Sequence, residues 1–275
     1  MTTTDKNLAA RFFFRNCSVS IHLPGEIKIS RSIMPSKEDV ILPRDFHPAG
    51  ETSEFLGMQS DFYKFLDGTS PSTAEFIKKL AAIGYMLCNK LPRGGRRCRA
   101  FCCINAEERA CANGKSLFAQ AVAQMCNATL IDGHYINHIF WLDCVSSATN
   151  LLVIDDVSRD TKLQRLFNLC TSDWRIDRCC LEPICIPIET SPYVLLTTNM
   201  PPGKLRRDSS SRRRFVILPF DSFYGPTNPI AKYIGRFMFR DWDSTQWHMF
   251  DNLMFYCVLE YLRSYSRGED VFDMY

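Results

Sequence analysis

Asn113-Gly114-Lys115-Ser116 is the stretch of this 275-residue chain best suited to holding phosphate. A strand-like run, Ala100–Ile104, precedes it and an amphipathic stretch, Ser116–Cys126, follows. Strand, turn, Gly-Lys-Ser and helix would aim backbone N–H groups and the positive end of a helix dipole at an anion. Lys115 would reach the β- and γ-phosphates of a nucleotide, and the Ser116 hydroxyl would ligate Mg2+. Arg109 stands where such loops usually carry a glycine, so low nucleotide affinity or turnover is expected.

Leu151–Ile154 is a second apolar run, and it ends in Asp155-Asp156. A buried strand ends in adjacent carboxylates when something cationic sits there. Asp155 would hold Mg2+ directly or through water, and Asp156 would orient and polarise an attacking water. Capping of the next helix is the competing reading for Asp156. A third run, Tyr193–Thr197, leads into Thr198-Asn199, where Asn199 would sense a terminal phosphate. Turn chemistry ahead of Pro201-Pro202 is the alternative there. Arg212-Arg213-Arg214 precede the run Phe215–Pro219. An Arg reaching across a subunit boundary, Arg213 or Arg214, would stabilise transition-state charge through its planar fork. Each of these elements is expected at the end of a strand, where parallel sheets gather ligands in one crevice.

Five apolar runs of strand length (Ala100–Ile104, Thr129–Ile131, Leu151–Ile154, Tyr193–Thr197 and Phe215–Pro219) must position this chemistry. Between them lie helix candidates at Ser116–Cys126, Ile136–Cys144 and Lys162–Cys170. Such alternation predicts an α/β fold, a central parallel sheet covered on both faces. Residues 95–225 would form this core. Residues 1–94 read as a partly helical N-terminal segment, with a short strand at Ile27–Ile33 and helices at Phe62–Phe65 and Ala74–Leu91. Thr73 is the expected N-cap of the longer helix, and Pro92-Arg93-Gly94-Gly95 the domain boundary. Residues 226–275 read as a C-terminal helical segment. Its stripe Trp247, Phe250, Met254, Cys257 and Tyr261 has the spacing of a core-facing helix.

Composition sets limits. With 46% apolar and 23% charged residues the chain is neither disordered nor a small disulfide scaffold. Its net charge of +3 hides local imbalance. Residues 89–115 hold seven Lys/Arg against two Glu, residues 203–215 six against one Asp, and residues 239–275 three Arg against seven acids. The two basic clusters could hold an anionic polymer that the total charge would not predict. Met1–Asn16 lacks the apolar run of a signal peptide, and no apolar stretch of membrane-spanning length is present. A cytoplasmic setting is therefore expected, with the 13 Cys reduced and mostly buried. Cys98/Cys102, His134/His138 and Cys180/Cys185 lack the matched pairing of a zinc site.

The stretches ANGKSLFAQAV, NLLVIDDVSRD, TSDWRIDRCCLEPICIPIETSPYVLLTTNMPP and SSSRRRFVILPF, with FDNLMFYCVLEYL near the end, resemble the superfamily 3 helicases. The likeness is to the helicase part of primase-helicases from phages, plasmids and other bacterial mobile elements, and it covers roughly residues 74–263. It implies a P-loop NTPase core of AAA+-like type and ATP with Mg2+ as cofactors. It also implies single-stranded or forked DNA as the partner, assembly into a homo-hexamer, and a bacterial host or phage-infected cell as the setting. In the family a hairpin offers a basic residue to the DNA backbone. Here that hairpin would be Trp174–Pro187, with Arg178 the best match and Arg175 the alternative; such a contact gives affinity without reading sequence. The segment before Ala74 is too short for a primase domain and shows no primase motif, so it would be a truncated remnant or the primase a separate chain. A non-helicase P-loop motor and a degenerate nucleotide- or DNA-binding module with weak turnover are the other readings.

Overall fold

The computed structural model describes residues 7–48, 53–91, 99–107, 112–161, 164–201, 205 and 208–272. Arg109 and the Pro92–Gly95 boundary lie outside the described residues.

The chain opens with β-structure. β1 (Leu8–Phe14), β2 (Ser18–His22), β3 (Glu26–Ser30) and β4 (Ile41–Leu42) form a sheet in the order β3-β2-β1-β4. Of these, only β3 coincides with a strand expected from the sequence. β1 reads LAARFFF, an almost continuous apolar run with both faces covered, so it shows no alternation. Helices follow: α1 (Ser53–Met58), α2 (Asp61–Gly68) and α3 (Thr73–Leu87). Ser72, not Thr73, caps α3, its hydroxyl accepting from the Glu75 N–H.

The centre of the molecule is a five-stranded, all-parallel sheet. It is built from β5 (Ala100–Asn105), β6 (Ala128–Asp132), β7 (Leu151–Val157), β10 (Tyr193–Thr198) and β11 (Phe215–Phe220), in the order β11-β5-β10-β7-β6. α4 (Lys115–Ala123) leaves β5, α5 (Gln164–Phe167) leaves β7, and α6 (Ser209–Arg214) enters β11. An antiparallel hairpin of β8 (Trp174–Arg178) and β9 (Leu181–Ile186) stands between β7 and β10 in sequence. α7 (Ile230–Ile234) and the long α8 (Ser244–Ser266) follow.

Alternation along each strand splits the buried residues between two cores. Phe101, Cys103, Val153, Leu195 and Leu218 face α3, α4, α8 and the N-terminal sheet. Cys102, Ile154, Leu196 and Ile217 face Leu166, Leu169, Trp174 and Ile176 on the other side. The fold is therefore α/β, with both faces of a parallel sheet covered. One predicted covering helix is absent. Ile136–Cys144 contributes Ile136 and Leu142 to the core, but through a single 3-10 turn at Gly133–Asn137 followed by further turns.

The C-terminal stripe behaves as core. Phe250, Met254 and Cys257 are fully buried and Tyr261 nearly so, while Trp247 packs partly buried against them. Phe12, Phe14 and Phe46 of the N-terminal region all contact the Phe255 ring, at centroid distances of 5.1, 6.1 and 5.0 Å. Gly84 lets α3 approach α8, because a Cβ there would lie 2.1 Å from the Cys257 carbonyl oxygen. The expected N- and C-terminal segments thus share one apolar core with the central sheet.

Lys79 is fully buried in this core. Its amine donates to the Thr69 carbonyl at 2.8 Å and to the Ser70 hydroxyl at 3.1 Å, and lies 4.0 Å from the Phe220 ring centre. Desolvation lowers its pKa from 10.5 to about 7. Between those values the unfolded chain binds this proton and the folded chain does not, so the contribution of Lys79 to stability rises with pH across the window. Lys79→Met is expected to abolish that rise, as read from thermal melts of both proteins at the two ends of the window.

Candidate functional site

A cleft of about 440 Å3 opens at the carboxyl ends of the parallel strands, bordered by Asn113, Gly114, Lys115, Ser116, Asp155, Asp156, Thr197 and Asn199. Each residue is placed there by strand direction. β5 ends at Asn105 and β7 delivers Asp155 and Asp156. β10 delivers Thr197 with Asn199 just beyond, and α4 starts at Lys115.

Gly114 is the N-cap of α4 and has φ +93°. A side chain there would be strained by that angle and would also meet the Phe65 ring at 2.4 Å. The glycine therefore allows a turn that aims the first N–H groups of α4 outward, as anion binding at a helix start requires. The Lys115 amine donates to the side-chain oxygen of Asn105 and, at 3.1 Å, to that of Asn113. Asn113 is itself buried and donates to the Phe220 carbonyl at 3.1 Å, tying the loop to the end of β11.

The two carboxylates are presented by a β-bulge. Register runs from Leu196 opposite Ile154 to Thr198 opposite Val157, so Thr197 alone faces both Asp155 and Asp156. Asp156 takes a left-handed backbone, φ +53°. Thr197 holds the bulge. Its hydroxyl donates to Asp155 Oδ1 at 2.6 Å and accepts the Asp156 N–H at 2.8 Å. Thr198 backs it from below, donating to the Val157 carbonyl at 2.6 Å. The Ser116 hydroxyl donates to the same Asp155 oxygen at 2.8 Å. Ser116 and Asp155 thus bring two hard oxygens to one point, a donor type that suits Mg2+.

Asn199 lies in the same network, donating to Asp156 Oδ1 at 3.4 Å and accepting from Asn105 at 3.0 Å. Asn105 therefore links Lys115 to Asn199. Sequence reading missed both Asn105 and Thr197. The one signal available was a polar residue closing a strand whose other residues are apolar.

The arginines are not part of this cleft. α6 precedes β11, and Phe215 pairs with Ala100 whereas Phe220 pairs with Asn105. Arg213 and Arg214 therefore sit at the amino edge of the sheet, about 17 Å of strand from the edge that carries the cleft. This corrects the expectation that all the motifs gather in one crevice, for the arginines stand at a strand's start. Arg213 is exposed and donates to the Ser209 carbonyl at 3.3 Å. Arg214 is half-buried, donates to the Ser210 carbonyl at 2.9 Å and lies 4.8 Å over the Phe167 ring.

Arg175 and Arg178 lie on the β8–β9 hairpin. Arg175 is exposed and paired with Asp177 at 3.4 Å. Arg178 stands beside the turn and donates to the Glu182 carbonyl at 3.2 Å.

No family model and no curated protein matches the sequence. Among solved structures, the chain is similar to the C-terminal region of NrS-1 in an apo form, with a TM-score of 0.44 and 12% identity over 92% of this chain and 65% of that one. It is also similar to the JCV helicase bound to a small thiazolopyridine compound, with a TM-score of 0.37 and 13% identity over 78% of this chain and 63% of that one. The chain thus spans slightly less than two thirds of each neighbour. With both TM-scores below 0.5, these likenesses bear on neither activity nor substrate.

The bulge makes one structural prediction. Thr197→Val leaves the Asp156 N–H and an Asp155 oxygen without their shared hydroxyl, which should cost about 1–3 kcal/mol. Thr197→Ser should recover most of it, and urea unfolding of the three proteins measures both effects.

Proposed function

We propose that this protein is an ATP-dependent DNA helicase or translocase of superfamily 3 type, acting in the replication of a phage, plasmid or other mobile element. The observation that carries the reading is the bond from Ser116 to Asp155 inside a cleft that also holds Lys115. The start of α4 and the acidic end of β7 meet at one point there, although 39 residues separate the two side chains.

The residues fit Mg2+-ATP. Gly114 permits the left-handed turn that opens α4, Lys115 supplies the cation, and Ser116 with Asp155 supplies hard oxygens. When bound, the nucleotide supplies the phosphoanhydride and the metal neutralises its charge. Lys115 would leave Asn105 and Asn113 to meet the phosphates. Asp156, aimed by the bulge and by Asn199, would orient an attacking water. Asn105 then couples the state of Lys115 to Asn199.

Arg213 or Arg214 would serve the transition state of a neighbouring copy, because both lie at the edge of their own sheet opposite the cleft. Arg213 is the better exposed of the two. This favours a ring of copies, with a homo-hexamer the size implied by the family resemblance. Single-stranded DNA would be gripped through Arg178, with Arg175 beside it on the same hairpin.

Lys115→Ala is expected to lower DNA-stimulated ATP hydrolysis by about 100-fold or more, measured against wild type with and without single-stranded DNA. Equal turnover in the two proteins would refute the site. Mixing Lys115→Ala with Arg213→Ala or Arg214→Ala protein should restore part of the activity at mixed interfaces.

Replacing both Arg175 and Arg178 by Ala should weaken single-stranded DNA binding by roughly tenfold and reduce its salt dependence. ATP hydrolysis without DNA should persist. Unwinding at the wild-type rate would instead favour a P-loop motor that does not use this hairpin.

A further inference from the structure

The turn of the β8–β9 hairpin is Cys179-Cys180, between Arg178 and its cross-strand partner Leu181. Both cysteines are exposed, and their sulfurs lie 3.7 Å apart. Cys180 has φ +56°, the left-handed conformation for which hairpin turns prefer glycine or asparagine. That backbone turn brings together two side chains that an extended strand would send to opposite faces.

Other thiols offer a contrast. Cys102, Cys103 and Cys257 are fully buried, and desolvation pushes the Cys103 thiol up to about 12. These remain unreactive packing groups. Cys144 and Cys185 are exposed like the hairpin pair, so exposure alone does not single out Cys179 and Cys180; their proximity does. No third His, Cys, Asp or Glu completes a metal-binding group around them among the described residues.

We propose that Cys179 and Cys180 form a vicinal dithiol site that hydrogen peroxide oxidises to an intramolecular disulfide, stiffening the hairpin tip beside Arg178. The steps balance. One thiolate attacks a peroxide oxygen; the O–O bond breaks, one water leaves and a sulfenic acid remains. The second thiol attacks the sulfenic sulfur; the S–S bond forms, the S–O bond breaks and a second water leaves. Two thiols thereby give two electrons and two protons to the peroxide. An external dithiol reverses the reaction by exchange. Closing the pair from 3.7 Å to bonding distance reshapes the two residues that join Arg178 to Leu181. The effect on DNA rests on the reading of Arg178 given above, whereas the chemistry of the pair does not.

The test treats the reduced 275-residue chain with one equivalent of hydrogen peroxide and maps its peptides by mass spectrometry without reduction. The expected product is a Cys179–Cys180 peptide lighter by two hydrogens, restored by dithiothreitol and absent in Cys180→Ser. Phenylarsine oxide, which bridges neighbouring thiols, should protect both residues from alkylation in the wild-type chain. Oxidation at Cys144 or Cys185 while the pair stays reduced would overturn the proposal, as would a disulfide between two chains. In parallel, fluorescence anisotropy should show single-stranded DNA binding weakened roughly threefold in oxidised wild type, the loss of about one phosphate contact. Cys180→Ser should show no response to peroxide. A reduced chain that binds no DNA would refute the helicase reading, while the peptide map would still decide the dithiol.

Discussion

The site depends on one hydroxyl. Thr197 is buried at the end of β10 and faces two carboxylates where regular pairing would give one. Adjacent carboxylates repel each other, and consecutive strand residues point to opposite faces. The bulge resolves both difficulties. It turns Asp156 through a left-handed backbone, and the Thr197 hydroxyl satisfies the Asp156 N–H and an oxygen of Asp155 together. Ser116, Asn199 and Asn105 then build outward from two carboxylates whose positions are already set.

The layers around the sheet keep that edge in register. One core ties β5, β7, β10 and β11 to α3, α4, α8 and the N-terminal strands. A buried ion pair crosses it, Arg44 to Asp251 at 2.6 Å, with the guanidinium 4.4 Å over the Trp247 ring. Burial pushes the Asp251 carboxyl up, and Arg44 opposes that shift. Breaking such a pair leaves a charge stranded in an apolar layer, which makes the docking of the N-terminal sheet on α8 specific. Asn113 carries the same rigidity into the cleft by anchoring the turn before α4 to the last residue of β11.

Much of this was legible in the residues. Ala100–Ile104, Leu151–Ile154, Tyr193–Thr197 and Phe215–Pro219 read as buried strands because both of their faces are apolar, and each became one, extended by one to three residues. β1 carried a similar apolar signal. The sequence alone does not single it out, because no repeating strand-helix pattern surrounds it. Ile136–Cys144 failed in the opposite sense. Its spacing suits a helix, but Ile136 and Leu142 satisfy the core from turns. Among the described residues the cysteines are free and six are buried, as a reduced, mostly buried set requires, while Cys144, Cys179, Cys180 and Cys185 are exposed. Cysteine type alone does not say which side of a hairpin it occupies.

By itself the sequence determined the chemical inventory and the parallel sheet. Gly-Lys-Ser, Asp-Asp and Asn each follow or close an apolar run, and strands linked by helical crossovers are parallel, so those groups share one edge. Only the tertiary structure decided the rest. It inserted the bulge that lets one threonine govern two acids, made Asn105 the link between Lys115 and Asn199, and sent Arg213 and Arg214 to the opposite edge. The reason is geometric. Residue type and spacing fix which element a group belongs to, whereas register and strand order fix which groups meet, and these arise only when the layers pack.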